Sequence, residues 1–139
     1  MEYKDQNTDD GAAYERLFSL EEANQLLPQL ETHLRAVREA KDVLFSTHHE
    51  IQLASAHATE GGGSVVGGIY IRALQKINEQ LQAIQELGVL VKDLDMGLCD
   101  FPHKLEGRVI FLCWKSGELK VMWWHDVHTG YNDRQPLLE

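Results

Sequence analysis

Apolar residues recur three and four positions apart along two long stretches in the first two thirds of the chain, and this spacing predicts two amphipathic helices. The first runs from Leu20 to about Ala58, and its repeated positions are Leu27, Leu30, Leu34, Val37, Leu44 and Ile51. The second runs from about Ile69 to Leu87, and its positions are Tyr70, Leu74, Ile77, Leu81, Ile84 and Leu87. The narrow stripes indicate a coiled-coil-like seam between antiparallel helices.

Capping residues, a proline and glycines set the expected limits of this helical hairpin, at about residues 19–88. Ser19 and Glu22 have the spacing of a capping box, which starts the first helix, and Pro28 is expected to bend or tighten it. Gly88 is placed to end the second helix in a left-handed conformation. The glycine-rich segment 61–68 lacks the Lys-Ser/Thr of a phosphate-binding loop, so we interpret it as a mobile reversal between the helices.

Two later runs rich in β-branched and aromatic residues, Arg108–Trp114 and Leu119–His125, predict a β-hairpin. A two-residue turn at Ser116-Gly117 would pair Leu112 with Val121 and Ile110 with Trp123. In that register Glu118 lies at the turn and His125 about 23 Å away, at about 3.3 Å per residue, so the two could not share a site within one extended hairpin.

Both faces of the predicted hairpin are apolar, which indicates that each face is covered by packing or by a partner. Val89–Asp93 reads as a third strand, and Leu94–Lys104, with Gly97 and Pro102, as a loop. The predicted fold class is α+β, with a long antiparallel helical hairpin followed by a small, mostly antiparallel three-stranded sheet in residues 89–136.

The length and net charge of the chain limit its domain organisation and its possible binding partners. The chain of 139 residues carries a net charge of −9, which disfavours nucleic acid or an anionic membrane surface as partner. Residues 1–13 are acidic and predict a disordered tail, whereas 14–139 suffices for a single domain. Cys99 and Cys113 stand apart with no secretory signal, so we expect reduced thiols in a cytoplasmic protein.

Polar residues near the strand ends supply candidate ligands for a metal ion. Asp100 and His103 precede the hairpin, and His125, Asp126 and His128 close it. Their spacing matches no zinc motif, so the sequence predicts no metal site, and His125, His128 and Asp100 are the ligands that one would use. We expect these groups to cross-link the strand ends by hydrogen bonds.

An anion site is an alternative use of the same region. Arg108, His125 and Arg134 could surround a small anion against an aromatic wall formed by Trp123 or Trp124. The simplest carboxylate for Arg134 is Asp100 of the same chain, which would make the pair structural. Cys113, in an apolar strand with no evident base beside it, reads as inert core.

Several motifs together resemble a known family. They are Phe18-Ser-Leu-Glu-Glu-Ala-Asn24, Gly88–Asp93, Gly97–Pro102, Leu112–Trp114 with Gly117-Glu118, and Trp124-His125 with Gly130-Tyr131 and Arg134–Pro136. The chain resembles the bacterial domain-of-unknown-function family 2203 from about Leu17 to Leu137. The resemblance implies no activity, but it marks these positions as worth testing: Asp93, Asp100, Cys113, Trp114, Glu118, His125 and Arg134.

Two hypotheses follow for the function. In the first, favoured hypothesis, the chain is a non-enzymatic module whose helical hairpin and apolar sheet face serve self-association, as a homodimer or a higher homo-oligomer, or the binding of a partner. In the second, it is a small-molecule-binding or metal-dependent enzyme with a site around Asp100, His125 and Arg134, to which Asp93, Arg108 and Trp124 could contribute. The sequence specifies no cofactor, substrate or reaction.

Overall fold

A computed structural model describes residues 14–56 and 63–137, so the predicted acidic tail lies outside the described residues. The chain is α+β, as predicted, with helices α1 and α2, strands β1 to β5 and a short 3-10 helix η1. The elements are α1 Leu20–Ala56, α2 Gly63–Glu86, β1 Leu90–Asp93, β2 Leu98–Leu105, β3 Arg108–Lys115, β4 Trp123–Asp126, η1 Tyr131–Asp133 and β5 Gln135–Pro136.

The described residues form two compact units, and α1 contributes to both of them. One, the sheet unit, combines residues 14–31 with residues 84–137. The other, the helical unit, combines residues 32–56 with residues 63–83. No helix among the described residues is long and apolar enough to cross a membrane.

The helical unit is an antiparallel pair, as the apolar spacing predicts. The His33 ring nitrogen Nδ1 lies 2.6 Å from Gln80 Oε1, and a shallow groove brings Ala36 and Ala40 together with Ala73 and Ile69. The predicted stripe holds at Leu34 and Val37, which are buried. It is wrong at Leu74, which is exposed, because Ala73 takes the buried position.

The helix limits depend on local chemistry that the sequence displays. The capping box is confirmed, since Ser19 N donates to Glu22 Oε1 at 2.9 Å and Glu22 N donates to Ser19 Oγ at 3.0 Å. Gly88 ends α2 at φ +89, as predicted. The predicted reversal over 61–68 is wrong from residue 63 onward, because α2 already begins at Gly63 and passes through Gly67-Gly68.

The sheet is larger than predicted, with five antiparallel strands in sequence order. The expected loop Leu94–Lys104 is wrong, because β2 spans Leu98–Leu105 and lies between β1 and β3. Pro102 is tolerated there because the pairing with β1 ends at Asp100 and no partner on that side needs its missing N–H. Its carbonyl accepts a bond from Phe18 N at 2.7 Å.

The predicted hairpin register is wrong by three residues. Cys113 pairs with Trp123, Leu112 with Trp124, and Phe111 with His125. A tight turn does form at Ser116-Gly117, where Glu118 N donates to the carbonyl of Lys115 at 2.9 Å. The register differs because the chain then forms no strand until Trp123. An odd shift reverses which side chains of β4 share a face with those of β3.

Both faces of the central strand are covered by the chain itself. One face packs against the segment that opens α1, where Phe18 meets Phe101 edge to face at 5.3 Å and Asn24 Oδ1 accepts from Val121 N. The opposite face is covered by Tyr14, whose ring meets Phe111 at 5.7 Å, and by Arg134. The central strand β3 therefore needs no partner molecule to bury it, whereas Leu119 and Met122 of the predicted hairpin remain exposed.

Candidate buried site in the sheet unit

Three ligand-bearing side chains, Asp100, Cys113 and His125, meet on one face of the sheet, and we call them the buried triad. Register explains the meeting, since Asp100 of β2 pairs with Cys113 of β3, and His125 of β4 lies diagonally across on the same face. Their exposed fractions are 1%, 0% and 2%. One ligand atom from each residue lies within 4.8 Å of the other two.

The orientation of the His125 ring is set by its backbone partner. Nδ1 lies 2.8 Å from the carbonyl oxygen of Asp126, and a carbonyl only accepts, so Nδ1 carries a hydrogen. Nε2 is thereby turned toward both oxygens of Asp100, at 3.0 and 3.1 Å. Desolvation raises the pKa of Asp100, although the charge of His125 and its hydrogen bond oppose the shift.

Cys113 is more than the inert core thiol expected from its apolar neighbours. Asp100 and Arg134 both interact with its side chain; a thiol there can donate to the carboxylate, and its sulfur can accept from the guanidinium. Burial, and then the charge of Asp100, raise the pKa of Cys113 to about 12. With no metal bound the sulfur stays protonated at neutral pH, which disfavours a free thiolate nucleophile.

Arg134 pairs with Glu118, whereas the sequence favoured a pair with Asp100. The two bonds are parallel, Nη1 to Oε1 at 3.2 Å and Nη2 to Oε2 at 3.1 Å, and Oε1 also accepts from Lys115 N at 2.9 Å. Burial lowers the pKa of Arg134, but the bond and charge of Glu118 outweigh it and the net shift is upward. Glu118 and His125 thus join one polar chain through Arg134, Cys113 and Asp100.

Cationic side chains crowd the same face of an otherwise acidic protein. The guanidinium carbon of Arg134 lies over the rings of both Tyr131 and Trp123, at 4.4 and 4.8 Å from their centroids. Lys115 Nζ approaches Tyr131 at 5.7 Å, and Lys92 Nζ lies 4.8 Å from the Phe111 centroid. Lys92 also interacts electrostatically with Asp100.

Other residues singled out from the sequence lie away from the buried triad. Asp93 Oδ1 accepts from Met96 N at 3.0 Å and so closes the turn after β1. Arg108 forms an ion pair with Asp126 at the opposite end of β3. Trp124 points to the other face of the sheet beside Leu112, and His128 is exposed in the turn after β4.

The donor set of the buried triad suits a thiophilic divalent metal ion. One sulfur, one nitrogen and one carboxylate oxygen match zinc-type chemistry, whereas Ca²⁺ and Mg²⁺ prefer oxygen alone. The Nδ1–H bond to a backbone carbonyl is the outer-shell contact typical of metal-binding histidines. Metal bonds of about 2.0–2.3 Å in a tetrahedron put ligand atoms about 3.3–3.8 Å apart, so this cluster needs adjustments of only about 1 Å.

No second group of three such ligands comes this close in the part of the chain that the structure describes. A separate open cleft of about 410 Å³ is lined by Leu20, Asn24, Lys120, Val121, Met122, Trp123, Pro136 and Leu137. It includes none of the buried triad, and its lining is mainly apolar. The buried triad is therefore the candidate centre for chemistry.

The model of an uncharacterised conserved protein family, DUF2203, matches residues 16–137, which is most of the chain. The chain belongs to the DUF2203 family. No curated protein and no solved structure matches it. Both elements of the buried site, the triad and the pair of Arg134 with Glu118, lie inside the DUF2203 match.

Proposed function

We propose that the protein is metal-dependent and binds a zinc-type divalent ion through Asp100, Cys113 and His125. The observation that carries the proposal is the convergence of three different ligand types in a buried cluster, with the imidazole already oriented by its backbone bond. Binding would displace the thiol proton and the proton between Asp100 and His125. Three protein ligands leave one tetrahedral position for a water or a small molecule, the arrangement of catalytic zinc sites.

Cobalt(II) tests this assignment, because it substitutes for zinc and reports a thiolate ligand by a charge-transfer band in the near ultraviolet. Chelator-treated protein titrated with Co²⁺ is expected to develop the band at one equivalent of metal. Cys113→Ser should abolish it, because the sulfur is then absent. Cys99→Ser is the matched control, since Cys99 is equally buried but lies on the opposite face of the sheet. A band that survives Cys113→Ser, or none in the unmodified protein, would refute the proposal.

Self-association of the helical unit as a homodimer is a second proposal, supported by a separate observation. Large apolar side chains remain exposed on both helices, including Phe45 at 69%, Ile71 at 55% and Leu74 at 45%. The groove between the helices is flanked by Glu39 on one helix and by Arg72 and Lys76 on the other. A two-fold arrangement could set each acidic flank against the basic flank of a second copy.

Light scattering of Phe45→Glu and Leu74→Glu variants tests the dimer. Each is expected to halve the mass in solution, because a charge would be buried at the interface. Leu34 is unsuitable for this purpose because it is fully buried and its replacement would unfold the helix pair. Leu119→Glu is the control, since Leu119 is 95% exposed on the sheet unit. A monomeric mass for the unmodified protein would end the proposal.

A further inference from the structure

The polar chain that begins at His125 reaches solvent at Arg134 and Glu118, whose side chains are partly exposed. The buried triad is shut off, but the side chains of Arg134 and Glu118 are 11% and 20% exposed. Arg134 is thus more exposed than the candidate metal ligands and interacts with Cys113, one of them. A small molecule that approaches the metal on this side meets the guanidinium first.

The charge on this face of the sheet favours the binding of an anion. Lys92, Lys115 and Arg134 supply three cations around the cluster, whereas Asp100 and Glu118 are the carboxylates that face them. A divalent ion held by Asp100 and a Cys113 thiolate would leave the surplus positive. In a protein of net charge −9, this surplus is local, and an oxyanion is the group that balances it.

Glu118 has the geometry of an internal stand-in for such an anion. Its carboxylate accepts two parallel hydrogen bonds from the guanidinium, the bidentate geometry in which arginine binds a carboxylate or phosphate ligand. Its backbone is anchored independently, because its carbonyl accepts from Trp114 Nε1 at 2.9 Å and its amide donates to Lys115. Rotation of the side chain away from Arg134 would leave these backbone bonds in place and would break only the bonds to the carboxylate, those from Arg134 and from Lys115 N.

We propose that the open metal position takes an oxygen of a small carboxylate or phosphate ligand whose charge Arg134 binds, in place of Glu118. The inference rests on the proposed metal site. It assigns Arg134 to ligand binding, with Trp123 and Tyr131 positioning the guanidinium by cation–π contact. Glu118 competes with the ligand and keeps Arg134 in place until the ligand arrives.

The test uses the full chain loaded with Co²⁺, with inorganic phosphate and acetate as probes. Either anion is expected to change the visible ligand-field bands of the cobalt, and the stronger response identifies phosphate or carboxylate as the class. Glu118→Gln should tighten binding about tenfold, because the competing charge is gone. This gain cannot arise from misfolding. Arg134→Gln should remove the response, whereas Arg108→Gln should retain it, since Arg108 pairs with Asp126 away from the buried triad.

Two negative results are distinguishable. In the first, the cobalt charge-transfer band forms normally, but neither anion alters the ligand-field bands of the unmodified protein or of Glu118→Gln. That result would overturn the anion proposal and leave the metal site standing. Absence of the charge-transfer band would overturn the metal site and, with it, the ligand that depends on it. Tighter anion binding in Glu118→Gln is the result that a purely structural ion pair does not produce.

Discussion

Replacement of Asp100 by alanine in the metal-free protein is expected to lower the free energy of unfolding by about 3 kcal/mol, against about 1 kcal/mol for Asp100→Asn. Alanine leaves His125 Nε2 and the Cys113 thiol, both buried, without the partner they share. Asparagine keeps an oxygen to accept from the thiol and an N–H to donate to Nε2. Urea denaturation in the presence of a chelator, followed by tryptophan fluorescence, measures the difference.

The two variants also separate structure from metal binding. Both should bind Co²⁺ more weakly than the unmodified protein, because an amide is a poorer metal ligand than a carboxylate and a methyl group is none. Asp100→Asn would then be a stable protein with an impaired site. Equal stability losses for Asn and Ala would contradict the hydrogen bonding described for the buried triad.

Trp114→Ala is expected to cost about 3–5 kcal/mol of stability, the range for deleting a buried aromatic side chain. Trp114 is fully buried on the face of β3 opposite Cys113, and its Nε1 donates to the carbonyl of Glu118. The substitution therefore leaves a cavity and also frees the turn that carries Glu118. Thermal or urea unfolding measures the loss.

Trp124→Ala is the comparison for this effect. Trp124 lies on the same face of the sheet but is only half-buried, so we expect a loss of about 1–2 kcal/mol, because less apolar area leaves water. A Trp114→Ala variant that is no less stable than Trp124→Ala would be inconsistent with the packing of β3. Trp114→Phe should recover part of the loss but not the bond to Glu118.

The helical part of the fold was predictable because its signals are local. The capping box at Ser19 and Glu22 and the left-handed Gly88 are short-range features, and both are confirmed. The stripe failed at Leu74 because a two-helix unit buries only a narrow seam, and small Ala73 fits closer to the facing helix. Periodicity identifies a face but does not fix which residue at its edge is buried.

The sheet was only partly predictable. The main error in its prediction, the missing strand β2, came from a proline. Pro102 and Gly97 made the segment 94–104 resemble a loop, yet the burial of Cys99 to Pro102 depends on neighbours distant in sequence. The hairpin register failed because residues 118–122 after the Ser116-Gly117 turn form no strand, and Trp114 Nε1 donates to the Glu118 carbonyl there, which the turn residues alone do not reveal. The position of each β4 side chain depended on that register.

The buried triad could be predicted only in part, for the same reason. Asp100, His125 and Arg134 were identifiable as polar residues in an apolar setting, but Cys113 joins them through the pairing of β2 with β3. Had residues 98–105 been predicted as a strand paired with β3, Asp100 and Cys113 could have been placed opposite one another. The expectation that Glu118 and His125 could not share a site considered only the distance along one hairpin, whereas Arg134 and Cys113 lie between them on the sheet.

X-ray absorption at the zinc edge tests the central claim most directly, because it counts the atoms bound to the metal. In the zinc-loaded protein the account predicts a single sulfur at about 2.3 Å together with nitrogen and oxygen neighbours at about 2.0–2.2 Å. The Cys99→Ser variant should give the same spectrum. A shell of nitrogen and oxygen alone, or one with two sulfurs, would show that Asp100, Cys113 and His125 are not the metal ligands.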